Sequence, residues 1–178
     1  MKSYSLSVLL LATVVVMPLQ AQLKFRSTYS SPDSQRHVII SDMKSAFQYV
    51  SEGVVEFRSN AKKLLLKKDY TSEDGEHGYA VDPIGWTADS KYFLYGLTST
   101  GGDQSWHHGI EVYSSRTGKI VHLDNYLGPI TIGQEVTLAP PDSVFVTLTD
   151  TTQLVTFKVK NHRASLSKLL STTKLKTK

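Results

Sequence analysis

Cysteine is absent from the 178 residues, which excludes a disulfide framework, cysteine-ligated zinc and a lipid anchor on an N-terminal cysteine. Long apolar runs are scarce too. The one that occurs, Leu6 to Met17, follows the basic Lys2 and precedes Pro18-Leu19-Gln20-Ala21. A basic start, a short apolar stretch and a small residue at its end read as an export signal over 1–21, cleaved after Ala21. The competing reading is a retained anchor, but a spanning helix needs about 20 apolar residues. The mature chain is therefore expected to be periplasmic or extracellular and not an integral membrane protein.

Catalytic signatures are also lacking. There is no P-loop, no Gly-x-Gly-x-x-Gly and no His-Glu-x-x-His. A nucleophile elbow needs Gly-x-Ser-x-Gly, and Gly96-Leu97-Thr98-Ser99-Thr100-Gly101 places its first glycine one residue too far from the serine.

The net charge of +4 hides an asymmetry. Residues 158–178 hold seven basic side chains and no acid, whereas 22–157 holds 12 basic against 16 acidic. Nucleic-acid binding needs Lys and Arg clustered on a folded face with stacking aromatics. This body is mildly acidic, so no nucleic-acid partner is expected, and 171–178 reads as a basic flexible tail.

What the chain does have is a repeat. Pro32-Asp33-Ser34, Ala88-Asp89-Ser90 and Pro141-Asp142-Ser143 each precede a β-branched or aromatic run, their aspartates 56 and then 53 residues apart. A second marker keeps the first period: Gly53-Val54-Val55-Glu56-Phe57 and Gly109-Ile110-Glu111-Val112-Tyr113 start 56 residues apart, as do Lys63 and Lys119. Pro presets φ in the turn while Asp and Ser bond to nearby amides, and the runs that follow favour strand. Asn60-Ala61 and Thr117-Gly118 read as hairpin connections. Tyr92-Phe93-Leu94-Tyr95 is apolar without a break, as in a strand covered on both faces. The expected fold is all-β: three consecutive four-stranded antiparallel meanders in one domain over 22–170, with units near 22–69, 70–125 and 126–170. In the compressed third unit, strands are expected at 154–159 and 166–170 about a turn at 160–163.

Trp86-Thr87-Ala88-Asp89-Ser90-Lys91-Tyr92-Phe93-Leu94-Tyr95, followed by Ile110-Glu111-Val112-Tyr113 and Thr117-Gly118-Lys119, resembles one blade of a β-propeller. The likeness is to Tol-type periplasmic and prolyl-oligopeptidase-type propellers, whose blades carry glycine after the turn aspartate. Here Ser stands there in all three units. The resemblance implies blade geometry and no activity. Propellers close with four to eight blades, so three imply an open propeller or an irregular stack. Its ends are closed by self-association through open blade edges, by curling into a compact structure, or by the chain from Ser165 as a short helix or strand.

In a meander, the long loops 41–52, 69–78, 98–108 and 124–129 emerge at one end, opposite the tight turns, and binding residues concentrate on such loops. The candidates are Glu73, Asp74, Glu76 and His77 in one loop and Asp103, Trp106, His107 and His108 in another. Adjacent histidines point to opposite faces of an extended chain, so His107 and His108 do not share an ion. The acidic loop lacks the alternating oxygen spacing of a calcium site. No metal or cofactor is expected. The expected function is a non-enzymatic binding or scaffold protein contacting a protein or envelope partner. The alternative is a small metal- or ligand-binding protein, or enzyme, using the 73–77 and 103–108 loops.

Overall fold

The computed structural model describes residues 24–43, 51–102, 107–130, 136–149 and 159–171. The signal at 1–21, Asp103, Trp106 and the tail beyond Ser171 lie outside the described residues. Among the described residues no helix is long and apolar enough to cross a membrane.

The fold is all-β, in three consecutive antiparallel sheets of which none closes on itself. The first holds β1 (Lys24–Ser30), β2 (Arg36–Met43), β3 (Glu52–Ser59) and β4 (Leu64–Asp69) in chain order. The second holds β5 (Tyr79–Trp86), β6 (Tyr92–Ser99), β7 (His108–Ser114) and β8 (Ile120–His122), followed by the single-turn α1 (Asp124–Leu127). The third holds β9 (Val136–Ala139), β10 (Ser143–Thr149) and β11 (Val159–Ser165), followed by α2 (Leu166–Ser171). Pro83 sits in β5, an edge strand, where its missing N–H removes no inner ladder bond.

The second sheet is the middle layer. Phe93, Tyr95 and Tyr113 on one face meet Val38, Ile40, Val55 and Phe57 of the first sheet. Leu94, Ile110 and Val112 on the other face meet Val144, Val146 and Leu166 of the third unit. The unbroken run Tyr92 to Tyr95 is buried at every position, as its lack of alternation predicts. Phe57 and Tyr113 stack with centroids 3.9 Å apart. Such a pair adds about 0.5–1.5 kcal/mol beyond the area it removes from water. Trp86 Nε1 donates to the Tyr29 carbonyl at 3.1 Å, fastening the first two sheets at their rim.

The turns repeat atom for atom in the first two units. Ser31 Oγ donates to Asp33 Oδ1 at 2.6 Å, and Thr87 Oγ1 donates to Asp89 Oδ1 at 2.8 Å. The same two hydroxyls accept from the N–H of Arg36 and of Tyr92. Ser34 and Ser90 take φ of 58° and 61°, the left-handed region that glycine fills without strain. In the 60–63 turn Lys62 has φ of 62°, matching Gly118 at 67°, 56 residues on.

The third unit departs from the expected pattern. Residues 160–163 are strand rather than turn, and Leu166–Ser171 form helix α2, the helical of the two forms expected of the chain from Ser165. Leu166, Leu169 and Leu170 lie at i, i+3 and i+4, so one helical face carries all three onto the core. Asp142, the third turn aspartate, accepts from the Ser167 N–H and the Ser165 hydroxyl and so holds the start of that helix.

The outer face of the first sheet is polar. Arg58 pairs with Glu56 at 2.8 Å and Arg26 approaches the same carboxylate at 3.7 Å. This end of the stack meets water in the manner of a capping repeat.

Candidate functional site

The long loops of the first two units meet at one end, and Glu52 joins them. Its carboxylate, 2 % exposed at the start of β3, accepts from the N–H groups of Ser72 and Gly78, each at 2.6 Å. Ser72 Oγ lies 2.7 Å away and Thr100 Oγ1 3.0 Å. Burial works to raise the Glu52 pKa, but these donors prevail and hold it below the usual range. Gly78 is required here, because a Cβ would lie 2.3 Å from the Tyr70 carbonyl oxygen and 2.5 Å from the Glu52 carboxyl carbon.

The 73–77 loop folds on itself. Asp74 accepts from the Glu76 N–H at 2.9 Å, from the Ser72 hydroxyl at 2.8 Å and from His77 Nδ1 at 2.5 Å. Those bonds hold its carboxyl well below the ordinary carboxylate range. Glu73 and Glu76 are exposed. The loop touches the 98–108 loop at Gly101, where a Cβ would sit 2.9 Å from the Glu76 carbonyl oxygen.

The two described histidines of the second loop diverge, as extended geometry demands. His108 Nδ1 lies 3.0 Å from Thr98 Oγ1, its ring over Gly96. His107 Nε2 lies 2.5 Å from Asp124 Oδ2, at the wall of a cleft of about 270 Å³ on the face of the second sheet that meets the first.

Glu111, in the middle of β7, forms the cleft's other acidic wall. Ile110 and Val112 point to the third sheet, so Glu111 and Tyr113 point to the first. Glu111 is 2 % exposed, and its Oε1 receives His122 Nδ1 at 2.8 Å. Its Oε2 and Asp124 Oδ1 are both buried and have no hydrogen-bond partner among the described residues. Burial raises the Glu111 pKa; His122 and Lys68 oppose that, and Asp124 adds to it. Tyr70 lines the cleft with its OH 2.9 Å from that of Tyr95, and burial pushes its pKa up to about 12. Tyr79, 44 % exposed, also lines it.

Of the residues singled out in the sequence, the cleft takes only His107. Glu73, Asp74, Glu76 and His77 form the neighbouring turn, His108 faces away, and Asp103 and Trp106 lie outside the described residues. Sequence reading missed Glu111, His122, Asp124, Tyr70 and Tyr79. For Glu111 a signal existed: it is an acid at the same strand parity as the core residue Tyr113. Among the described residues no three His, Asp or Glu side chains converge on a metal position. The arrangement offers two carboxylate–imidazole pairs, each with an acceptor oxygen to spare, between tyrosine walls. In comparisons with known proteins, the chain matches no family model, no curated protein and no solved structure.

Proposed function

We propose that the protein is an exported, non-enzymatic binding module of the cell envelope, built of propeller-type blades left open, and that it binds through the long-loop end. The position of binding is the cleft on the face of the second sheet that meets the first. One observation carries this reading: the Glu111 carboxylate, 2 % exposed, lines that cleft and has an oxygen with no hydrogen-bond partner among the described residues. Buried polar atoms are nearly always hydrogen-bonded, and one left open beside a cleft marks a place for a donor from outside. The volume suits a small molecule or a single side chain of a protein partner. Glu52 supports the assignment, since it fastens the loops around the cleft and so preorganises the rim.

The test is nuclear magnetic resonance of the labelled mature protein against cationic, neutral and anionic fragments. Amide shifts gathered on Tyr79, Ser99, Gly109, Glu111 and His122 are the expected result. Shifts scattered over the surface, or confined to the tight-turn end, sink the reading.

A further inference from the structure

We propose that the cleft takes a small organic cation, its primary ammonium group held between Glu111 Oε2 and Asp124 Oδ1. This deepens the binding reading above and rests on it. Each acid already spends one oxygen on an imidazole, at 2.8 Å for Glu111–His122 and 2.5 Å for Asp124–His107. Each keeps a second oxygen that is buried and unpartnered. Each imidazole meets one oxygen of its acid, and the second oxygen of each pair is left for a donor from outside.

An ammonium group suits that need on three counts. It is a pure donor with three N–H bonds, matched to a site whose open positions are all acceptors. Its charge offsets that of the Glu111 carboxylate, whose ionisation burial disfavours. The rings of Tyr70 and Tyr79, perpendicular at 78° with centroids 6.5 Å apart, add aromatic surface of the kind that attracts cations. Lys68 contributes an opposing positive charge from β4. A divalent metal fits less well, because hard cations take six or more oxygen ligands and no three of the described acids and histidines converge.

The cleft volume accommodates one ring with a short amine arm, so benzylamine is the probe, titrated calorimetrically into the mature chain at low ionic strength. Benzyl alcohol and benzoate serve as neutral and anionic counterparts of the same shape. The expected result is saturable one-to-one binding of benzylamine alone, weakened tenfold or more in both Glu111→Gln and Asp124→Asn, with each variant's fold checked by circular dichroism. Equal binding of benzyl alcohol, or unchanged benzylamine affinity in both variants, overturns the proposal. So does stoichiometric uptake of zinc chloride that displaces the amine. If neutral fragments bind the cleft while benzylamine does not, the ammonium assignment falls and the binding position stands. If nothing binds there, both fall.

Discussion

The backbone N–H of Asp33 donates to Ser90 Oγ at 3.0 Å, joining two turns that lie 57 residues apart. The Asp89 N–H donates in turn to the Pro141 carbonyl at 3.2 Å. The three tight turns thus form a row in which each unit is bonded to the next. Ser90 serves this row although its own φ of 61° is unfavourable for a residue with a Cβ.

Ser34 and Ser90 share a backbone conformation but not a role, and substitution separates the two. Ser34→Gly relieves left-handed strain at an exposed position and is expected to stabilise by about 0.5–1 kcal/mol after the greater unfolded-state freedom of glycine is subtracted. Ser90→Gly relieves the same strain but removes the acceptor of the Asp33 N–H, a loss of about 0.5–1.5 kcal/mol. Urea unfolding is expected to show a gain for the first and none for the second. A gain of equal size in both denies the inter-unit bond any weight.

Glu52→Gln keeps the shape and replaces one acceptor oxygen with a donor among N–H and O–H groups. Destabilisation of about 2 kcal/mol is expected at neutral pH. The folded-state pKa of Glu52 lies below its ordinary value of 4.5, so the carboxylate's contribution is complete above pH 4.5 and is lost as pH falls through the lowered value. Wild type and variant should converge on acidification. A constant gap from pH 7 to pH 3 excludes this account.

Glu111 has the opposite sign. Its folded-state pKa lies above 4.5, so ionisation costs stability at pH values above the raised one, and the cost vanishes below 4.5. Glu111→Gln removes that ionisation cost and is expected to stabilise by about 1 kcal/mol at pH 8 and by little at pH 4. Thermal melts at the two pH values decide it, and destabilisation at pH 8 contradicts the assignment.

The export reading of 1–21 makes a covalent prediction. The intact mass of protein recovered from outside the cytoplasm is expected to correspond to a chain beginning at Gln22. A mass retaining Met1–Ala21 on membrane-associated protein favours an anchor instead.

The meander was legible because its signals are local. Asp-Ser turns and a shared 56-residue spacing survive without knowledge of neighbours, and the unbroken Tyr92–Tyr95 run announced two covered faces. The third unit is legible only in part: 160–163 reads as a turn and is strand, while beyond Ser165, where alternating and helical leucine spacings compete, both helix and strand were open. Asp142 and the core settled Leu166–Ser171 as helix. The cleft was harder still. His107 was visible as a histidine in a long loop, whereas Glu111 belongs to the site only because β7 turns that side of the strand toward another sheet, and Asp124 only because α1 follows β8 at once. The place of Asp124 arises from tertiary packing and leaves no mark in spacing, whereas the parity of Glu111 with Tyr113 is a mark that the strand carries.

The position of Leu166 against Leu94 and Val112 bears on how the chain comes into being. During synthesis from the N-terminus at about 5–20 residues per second, the 72 residues from Leu94 to Leu166 take roughly 4–14 s to emerge. Through that interval the side of the central layer carrying Leu94 and Val112 lacks part of its cover, Val144 and Val146 arriving before Leu166, while its opposite side already has the partners it needs. A nascent half-built stack of this kind presents an adhesive apolar surface, so a holding chaperone would act on it during those seconds and release it once the C-terminal leucines arrive.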